Sequence, residues 1–214
     1  NKYVRDSSGN IVHSLVNGIP IPKSENNNEV IGLGVAPTTV GFGTNLRYKD
    51  FSLNVFFEGK YGGSIISNTN VRMKQLGLHQ DTAPNGSRSN FIPEGVMEDG
   101  SAMPQVSEAD LQLYWNTGNA AGSSAATLGE GNVYDNDFLR ISQVSLSYNF
   151  PQSLLENTFI KRASVGLVGN NLGFIFKDVP NIDPEAYYQS RALGAEGIAM
   201  PIGESIGFSV KLKL

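Results

Sequence analysis

The sequence has no cysteine, which excludes disulfides and thiolate metal sites. It has no run of about 18 apolar residues, so it offers no transmembrane helix. A membrane is still open to it, because barrel strands alternate and leave only a weak hydropathy signal. Charge is sparse: Asp, Glu, Lys and Arg make up 17% of the residues, against about 25% in a typical soluble domain. The net charge of −4 supplies no basic footprint for nucleic acid. Histidine is limited to His13 and His79, far apart and without the spacing that three or four zinc ligands require. The G-x-S-x-G and Walker patterns are missing. Paired carboxylates such as Glu98 and Asp99 do not by themselves define acid–base geometry. An outer-membrane protease or lipase has no further support, and the expectation is a non-enzyme without cofactor or metal. The chain begins at Asn1 without a signal-peptide pattern and reads as a piece of something longer.

What the chain does have is alternation. Five segments switch between apolar and polar residues with period two, the signature of a strand with one apolar and one polar face. They are Thr39–Tyr48, Phe51–Tyr61, a segment ending Val144–Phe150, Lys161–Asn170 and Ser205–Leu214. In the last, Ile206, Phe208, Val210, Leu212 and Leu214 oppose Ser205, Gly207, Ser209, Lys211 and Lys213. The third contains a phase fault: Leu139 and Ile141 share the parity of its polar residues, so the phase flips near Ser142–Gln143. A β-bulge there, or the start of a part outside the apolar band, accounts for it.

The connections orient these strands. Lys49-Asp50 joins the first two and Pro151–Phe159 the third and fourth, whereas Gly62–Asp137 and Asn171–Glu204 are long. Short turns alternating with long loops is the pattern of an outer-membrane barrel, with the short turns periplasmic. Leu214 then lies at the periplasmic rim, and Tyr48, Phe51, Tyr148, Phe150 and Phe159 gather at the short-turn end, where aromatic residues favour the membrane–water interface. A soluble glycan-binding β-sandwich also alternates. It is opposed by strands of about ten residues, where soluble strands average about five or six, and by the length of Gly62–Asp137. Five strands cannot close a membrane barrel, so further strands must come from elsewhere. The fold expected is all-β: an antiparallel transmembrane barrel wall with long extracellular loops.

Within the long segments, Tyr3–Asp6 and Ile11–Leu15 are set to pair as a hairpin around Ser7-Ser8-Gly9-Asn10. Ile65–Leu78 carries a rough apolar stripe for a short helix, and Ser107-Glu108-Ala109-Asp110 resembles a capping box starting a helix through about Trp115. Asp6–Asn10 and Asp135-Asn136-Asp137 do not fit EF-hand spacing and read as turns. Trp115, Tyr187 and Tyr188 are loop aromatics able to stack on a solute or to pack the loops against each other.

The stretch Val133–Glu156 resembles the SusC/RagA family of TonB-dependent outer-membrane transporters, through Tyr134, Asp135, Phe138, Leu139, Arg140, Ile141, Val144, Ser145, Leu146, Tyr148, Phe150 and Pro151. Val168–Lys177, Asp183-Pro184-Glu185, Ile31-Gly32, Ala36-Pro37, Gly43–Phe51 and Tyr61-Gly62-Gly63 are similar to further stretches of that family. Asp137 stands where the family has a small residue, and Leu214 where it usually ends in Phe. The resemblance implies a barrel of about twenty-two strands with an amino-terminal plug. It implies import of oligosaccharides or peptides, energy from a TonB complex, and a SusD-like surface lipoprotein as partner. On that reading residues 1–214 are the carboxy-terminal barrel portion, without the plug or the TonB-contacting segment, in the outer membrane of a Gram-negative bacterium. Strand parity puts Arg47, Asn54, Glu58, Lys60, Arg162, Lys211 and Lys213 on the lumen side, toward plug or solute. A non-transporting structural or adhesive barrel is the alternative within the membrane class.

Overall fold

A computed structural model describes residues 2–16, 19–24, 29–89, 91–116, 130–186 and 194–214. In chain order the elements are β1 (Val12–Val16), β2 (Ile19–Pro22), β3 (Thr38–Tyr48), β4 (Phe51–Tyr61), β5 (Ser64–Ser67), α1 (Asn68–Gln75), β6 (Val96–Met97), α2 (Leu111–Tyr114), β7 (Val133–Asp135), β8 (Phe138–Asn149), β9 (Arg162–Asn170), β10 (Phe174–Lys177), β11 (Ala195–Glu196) and β12 (Ser205–Lys213). The five alternating segments are β3, β4, β8, β9 and β12. They pair antiparallel in the order β12-β9-β8-β4-β3, with β10 on β8. The short turns Lys49-Asp50 and Pro151–Phe159 lie at one end of this sheet, and the long connections leave from the other.

The registers make each face continuous. Asn45 pairs with Asn54, Asn54 with Ser145, Ser147 with Gly166, and Gly166 with Ser209. On the other face Leu46 pairs with Leu53, Leu53 with Leu146, Leu146 with Leu167, and Leu167 with Phe208. The apolar face is uncovered. Leu146 is 43%, Leu167 55% and Phe208 68% exposed, and among the described residues no second layer packs on it. A soluble sandwich would bury that face. The arrangement suits a wall that meets hydrocarbon.

The phase fault is a bulge. Phe56 pairs with Gln143 and Phe57 with Ile141, leaving Ser142 as the extra residue. Ser142 therefore returns Leu139 and Ile141 to the apolar face and turns Arg140 inward. On the other side of β8, the partner strand is interrupted at Asn171–Gly173 and resumes as β10, where Phe174 pairs with Arg140. Asn171 takes φ of 53° at this break, a left-handed conformation that Asn tolerates better than most residues.

Buried cores sit among the loops. Ile19, Phe91, Val106, Leu111, Tyr114 and Trp115 form one cluster, and Ile65, Val179 and Ile182 another, joined by Tyr134. The expected hairpin exists only as a turn: Arg5 and Ile11 form an isolated bridge, while the strand Val12–Val16 takes Ile19–Pro22 as its antiparallel partner. The predicted helix over Ile65–Leu78 is shorter. Ile65 and Ile66 are β-branched and pair in β5 with Tyr134 and Val133, and Ser67 caps the helix by accepting from Asn70 N–H at 3.0 Å. Gly77, at φ of 71°, follows its C-terminus. Ser107 Oγ accepts from Asp110 N–H at 3.2 Å in the turn ahead of Leu111–Tyr114, but Asp110, which starts that helix, makes no side-chain capping bond. The Asp6–Asn10 segment is a turn in which Asp6 Oδ1 accepts from Ser8 N–H and Asn10 N–H, both at 2.8 Å.

A charge placed on each face separates the two environments. Val144→Arg, on the outer face, is expected to lower stability in lipid vesicles by about 2–4 kcal/mol. Ser147→Arg, on the inner face, is expected to cost far less. Denaturant titration of the full-length protein in vesicles reads the difference.

Candidate solute-facing surface

The inner face of the wall is held together by side chains as well as by the ladder. Asn45 donates to Asn54 Oδ1, and Asn54 Nδ2 donates to Ser145 Oγ at 3.1 Å. A second row runs from Gln143 Nε2 to Asn170 Oδ1 and from Asn170 Nδ2 to Ser205 Oγ, both 3.1 Å. Small residues keep much of this face open; large exceptions are Phe138, opposite Lys60, and Phe56. The Phe56 ring lies over Gly41 and Gly43, where a Cβ on Gly43 would fall 2.9 Å from the ring.

All seven residues assigned inward by parity share this face in the paired registers. Arg47 lies opposite Ser52, Lys211 opposite Ser164, and Lys213 opposite Arg162. The last pair sets like charges directly across, an arrangement that costs stability unless an anion faces it. Four cations, Arg47, Arg162, Lys211 and Lys213, therefore occupy the short-turn end. Glu58 and Lys60 sit at the other end, where sequence reasoning missed two partners. Arg140 Nη2 lies 3.1 Å from Glu58 Oε2 and 2.6 Å from Glu185 Oε2, and Lys60 Nζ lies 2.6 Å from Glu185 Oε1. Arg140 was legible as inward once the Ser142 bulge is counted. Glu185 reaches the cluster from the distant Asn171–Glu204 loop, which no local pattern announces.

Among the loops, Trp115 is 5% exposed and packs against Phe91 and Tyr114, with ring centroids 5.5 and 5.1 Å away. Lys74 Nζ stands over its ring at 5.9 Å and over Tyr134 at 5.7 Å. The faces of Trp115 are thus spent inside the protein, although part of it lines cavities of about 330 and 480 Å³. Tyr187 and Tyr188 lie outside the described residues. Lys74 also donates to Gly131 C=O at 3.2 Å and pairs with Asp81 Oδ2 at 3.3 Å. Burial pushes the Lys74 ammonium below its ordinary range, and Asp81 opposes that push. The Asp81 carboxyl is held below its ordinary value, first by hydrogen bonding with the His79 ring and then by the Lys74 charge, against partial burial. Among the described residues no group of three metal-ligating side chains converges.

A scan of protein-family models finds no match to the chain. It is 29% identical to TonB-dependent receptor P3 of Formosa agariphila over 162 residues, which are 76% of this chain and 14% of that protein. It is 26% identical to TonB-dependent receptor P26 of the same organism over 158 residues, 73% of this chain and 14% of that protein. Among solved structures it is similar to the RagAB peptide importer in the closed-closed state, with a TM-score of 0.62 and 19% identity over 98% of this chain and 20% of that one. The open-open state gives 0.57 and 18% identity, over 100% of this chain and 22% of that one. The resemblance to TonB-dependent transporters read from the motifs is borne out, and the antiparallel β-wall is similar in fold to part of the RagAB structures. The chain spans only 14% of the curated relatives it matches.

The Asp81 carboxylate yields a pH test. Its folded pKa lies below the unfolded 3.8, so its stabilisation is present above that value and is lost as pH falls from there through the lower folded pKa. Local opening of residues 68–82, measured by amide exchange corrected for intrinsic rates, is expected to become easier from pH 5 to pH 3. In Asp81→Asn the profile is expected to flatten.

Proposed function

We propose that this chain is the carboxy-terminal wall of an energy-coupled outer-membrane transporter similar to the TonB-dependent receptors. The observation that carries the reading is the pair of faces: one apolar and uncovered, the other mostly polar and small and cross-linked by hydrogen bonds, both running across five strands. The apolar face meets lipid. The polar face lines the path of the solute, with Arg47, Asn54, Glu58, Lys60, Arg162, Lys211 and Lys213 directed to it. The cations at the short-turn end fit a plug contributed by the rest of the polypeptide, with acidic groups opposite Arg162 and Lys213.

The short turns and Leu214 are assigned to the periplasmic side, and the loops, including Tyr187 and Tyr188, to the outside. There they meet substrate and a SusD-like surface lipoprotein. The solute is an oligosaccharide or a peptide, the RagAB neighbours being peptide importers. The protein moves its solute without chemical change, so its work is binding and gating, driven through a TonB complex.

Uptake tests this reading. Cells carrying the full-length protein are offered one fluorescent pool of oligopeptides and one of oligosaccharides. The expected result is saturable accumulation of one pool that stops when TonB is removed. Accumulation of neither pool above that of cells lacking the protein, or accumulation indifferent to TonB, would count against energy-coupled transport.

A further inference from the structure

Glu185 belongs to the loop between β10 and β12, yet its carboxylate is spent on the wall. It takes Arg140 with one oxygen and Lys60 with the other, each at 2.6 Å. The side chains of Glu185 and Arg140 are only 13% and 11% exposed. Arg140 also carries Glu58 and stands over the Phe138 ring at 5.9 Å. Two cations meet two carboxylates, so the cluster balances its own charge. Neighbouring residues fix the same segment from other sides. Asn136 Nδ2 donates to Pro184 C=O at 3.1 Å, and Lys177 Nζ donates to Ile182 C=O at 2.5 Å. Asp183 accepts from Glu185 N–H at 2.9 Å and from Ile202 N–H at 3.0 Å. Val179, at one end of the segment, is fully buried.

We propose that Arg140 is a positioning residue that clamps Asp183–Ala186 against the inner wall, making this segment a fixed rim of the solute path. This rests on the reading of the inner face as the solute-lining one. A lid must leave its seat, and leaving here would take the Glu185 carboxylate from both Arg140 and Lys60 in a poorly hydrated place. The cavity of about 670 Å³ beside the segment, lined by Phe174, Lys177, Asp183 and Met200 among others, is then preformed. The Ser142 bulge gains a purpose in this account: without the phase flip Arg140 would face lipid and the loop would have no anchor.

Amide exchange on the full-length protein in detergent tests the clamp. Peptides covering residues 179–186 are expected to exchange as slowly as those of β8. Glu185→Gln, which keeps the side chain's shape and removes its charge, is expected to speed that segment about ten-fold or more and to leave β9 and β12 unchanged. Arg140→Ala should match it, and Arg140→Lys should restore part of the protection. Fast exchange of the segment in the unmodified protein, or wild-type protection in Glu185→Gln, overturns the proposal. If Arg140→Ala fails to assemble, Glu185→Gln decides alone. Uptake is not read here, so a failed clamp and a failed transport assignment show in different experiments.

Discussion

A strand that crosses hydrocarbon has no water to satisfy its N–H and C=O groups, and everything in this wall follows from that constraint. Each backbone group must find its partner on a neighbouring strand. The β3–β4 ladder therefore runs without a gap from Thr38 opposite Tyr61 to Tyr48 opposite Phe51, and the β12–β9 ladder from Ser205 to Lys213. Among the described residues regular pairing gives way only along the central strand: Ser142 is an extra residue opposite β4, and on the other side β10 shifts register between Phe174 and Phe176. With the ladder fixed, side chains have two destinations. One face is left apolar and uncovered, which is costly in water and favourable in lipid. The other is left to Gly, Ser and Asn, which make room and supply hydrogen bonds.

The buried part of the protein is displaced as a consequence. A soluble domain places its core between layers, but among the described residues none packs on this sheet's apolar face. Close packing occurs where the loops fold on one another. Glu196 shows how it is managed: fully buried, it accepts from Ser67 Oγ, Thr69 N–H, Thr69 Oγ1 and Ala199 N–H at 2.7–3.0 Å. One carboxylate thus ties a strand late in the chain to the start of α1. Lys74 is treated likewise, placed between two rings and an acid. Charges removed from water are tolerated where such partners converge.

These two regimes explain what was legible in the sequence. The wall strands were legible to within about two residues, because period-two alternation over a membrane-spanning length is seldom met outside a barrel wall. The phase error was legible for the same reason and allowed either a bulge or a segment outside the apolar band; the ladder decides for the bulge. That Arg47, Asn54, Glu58, Lys60, Arg162, Lys211 and Lys213 share one face followed from parity alone. Arg140 escaped because its parity was not carried across the bulge, and Glu185 because its contact joins segments far apart in sequence. The short strands β5, β7 and β11 were not legible either. Each is set by a remote partner, so Ile65-Ile66 looked like the opening of a helix when they were a strand. Trp115, read as a loop aromatic, takes part in a core that only the folded loops create.

The central claim is that the uncovered apolar face meets lipid while its opposite faces an aqueous lumen. Single spin labels placed in turn at residues 205–213 of the full-length protein in bilayers test it directly, by collision with oxygen and with a water-soluble nickel chelate. The account predicts that labels at 206, 208, 210 and 212 collide with oxygen and are shielded from nickel, with the pattern reversed at 205, 207, 209, 211 and 213. Uniform nickel access along the strand, or oxygen preference at Lys211, would contradict it.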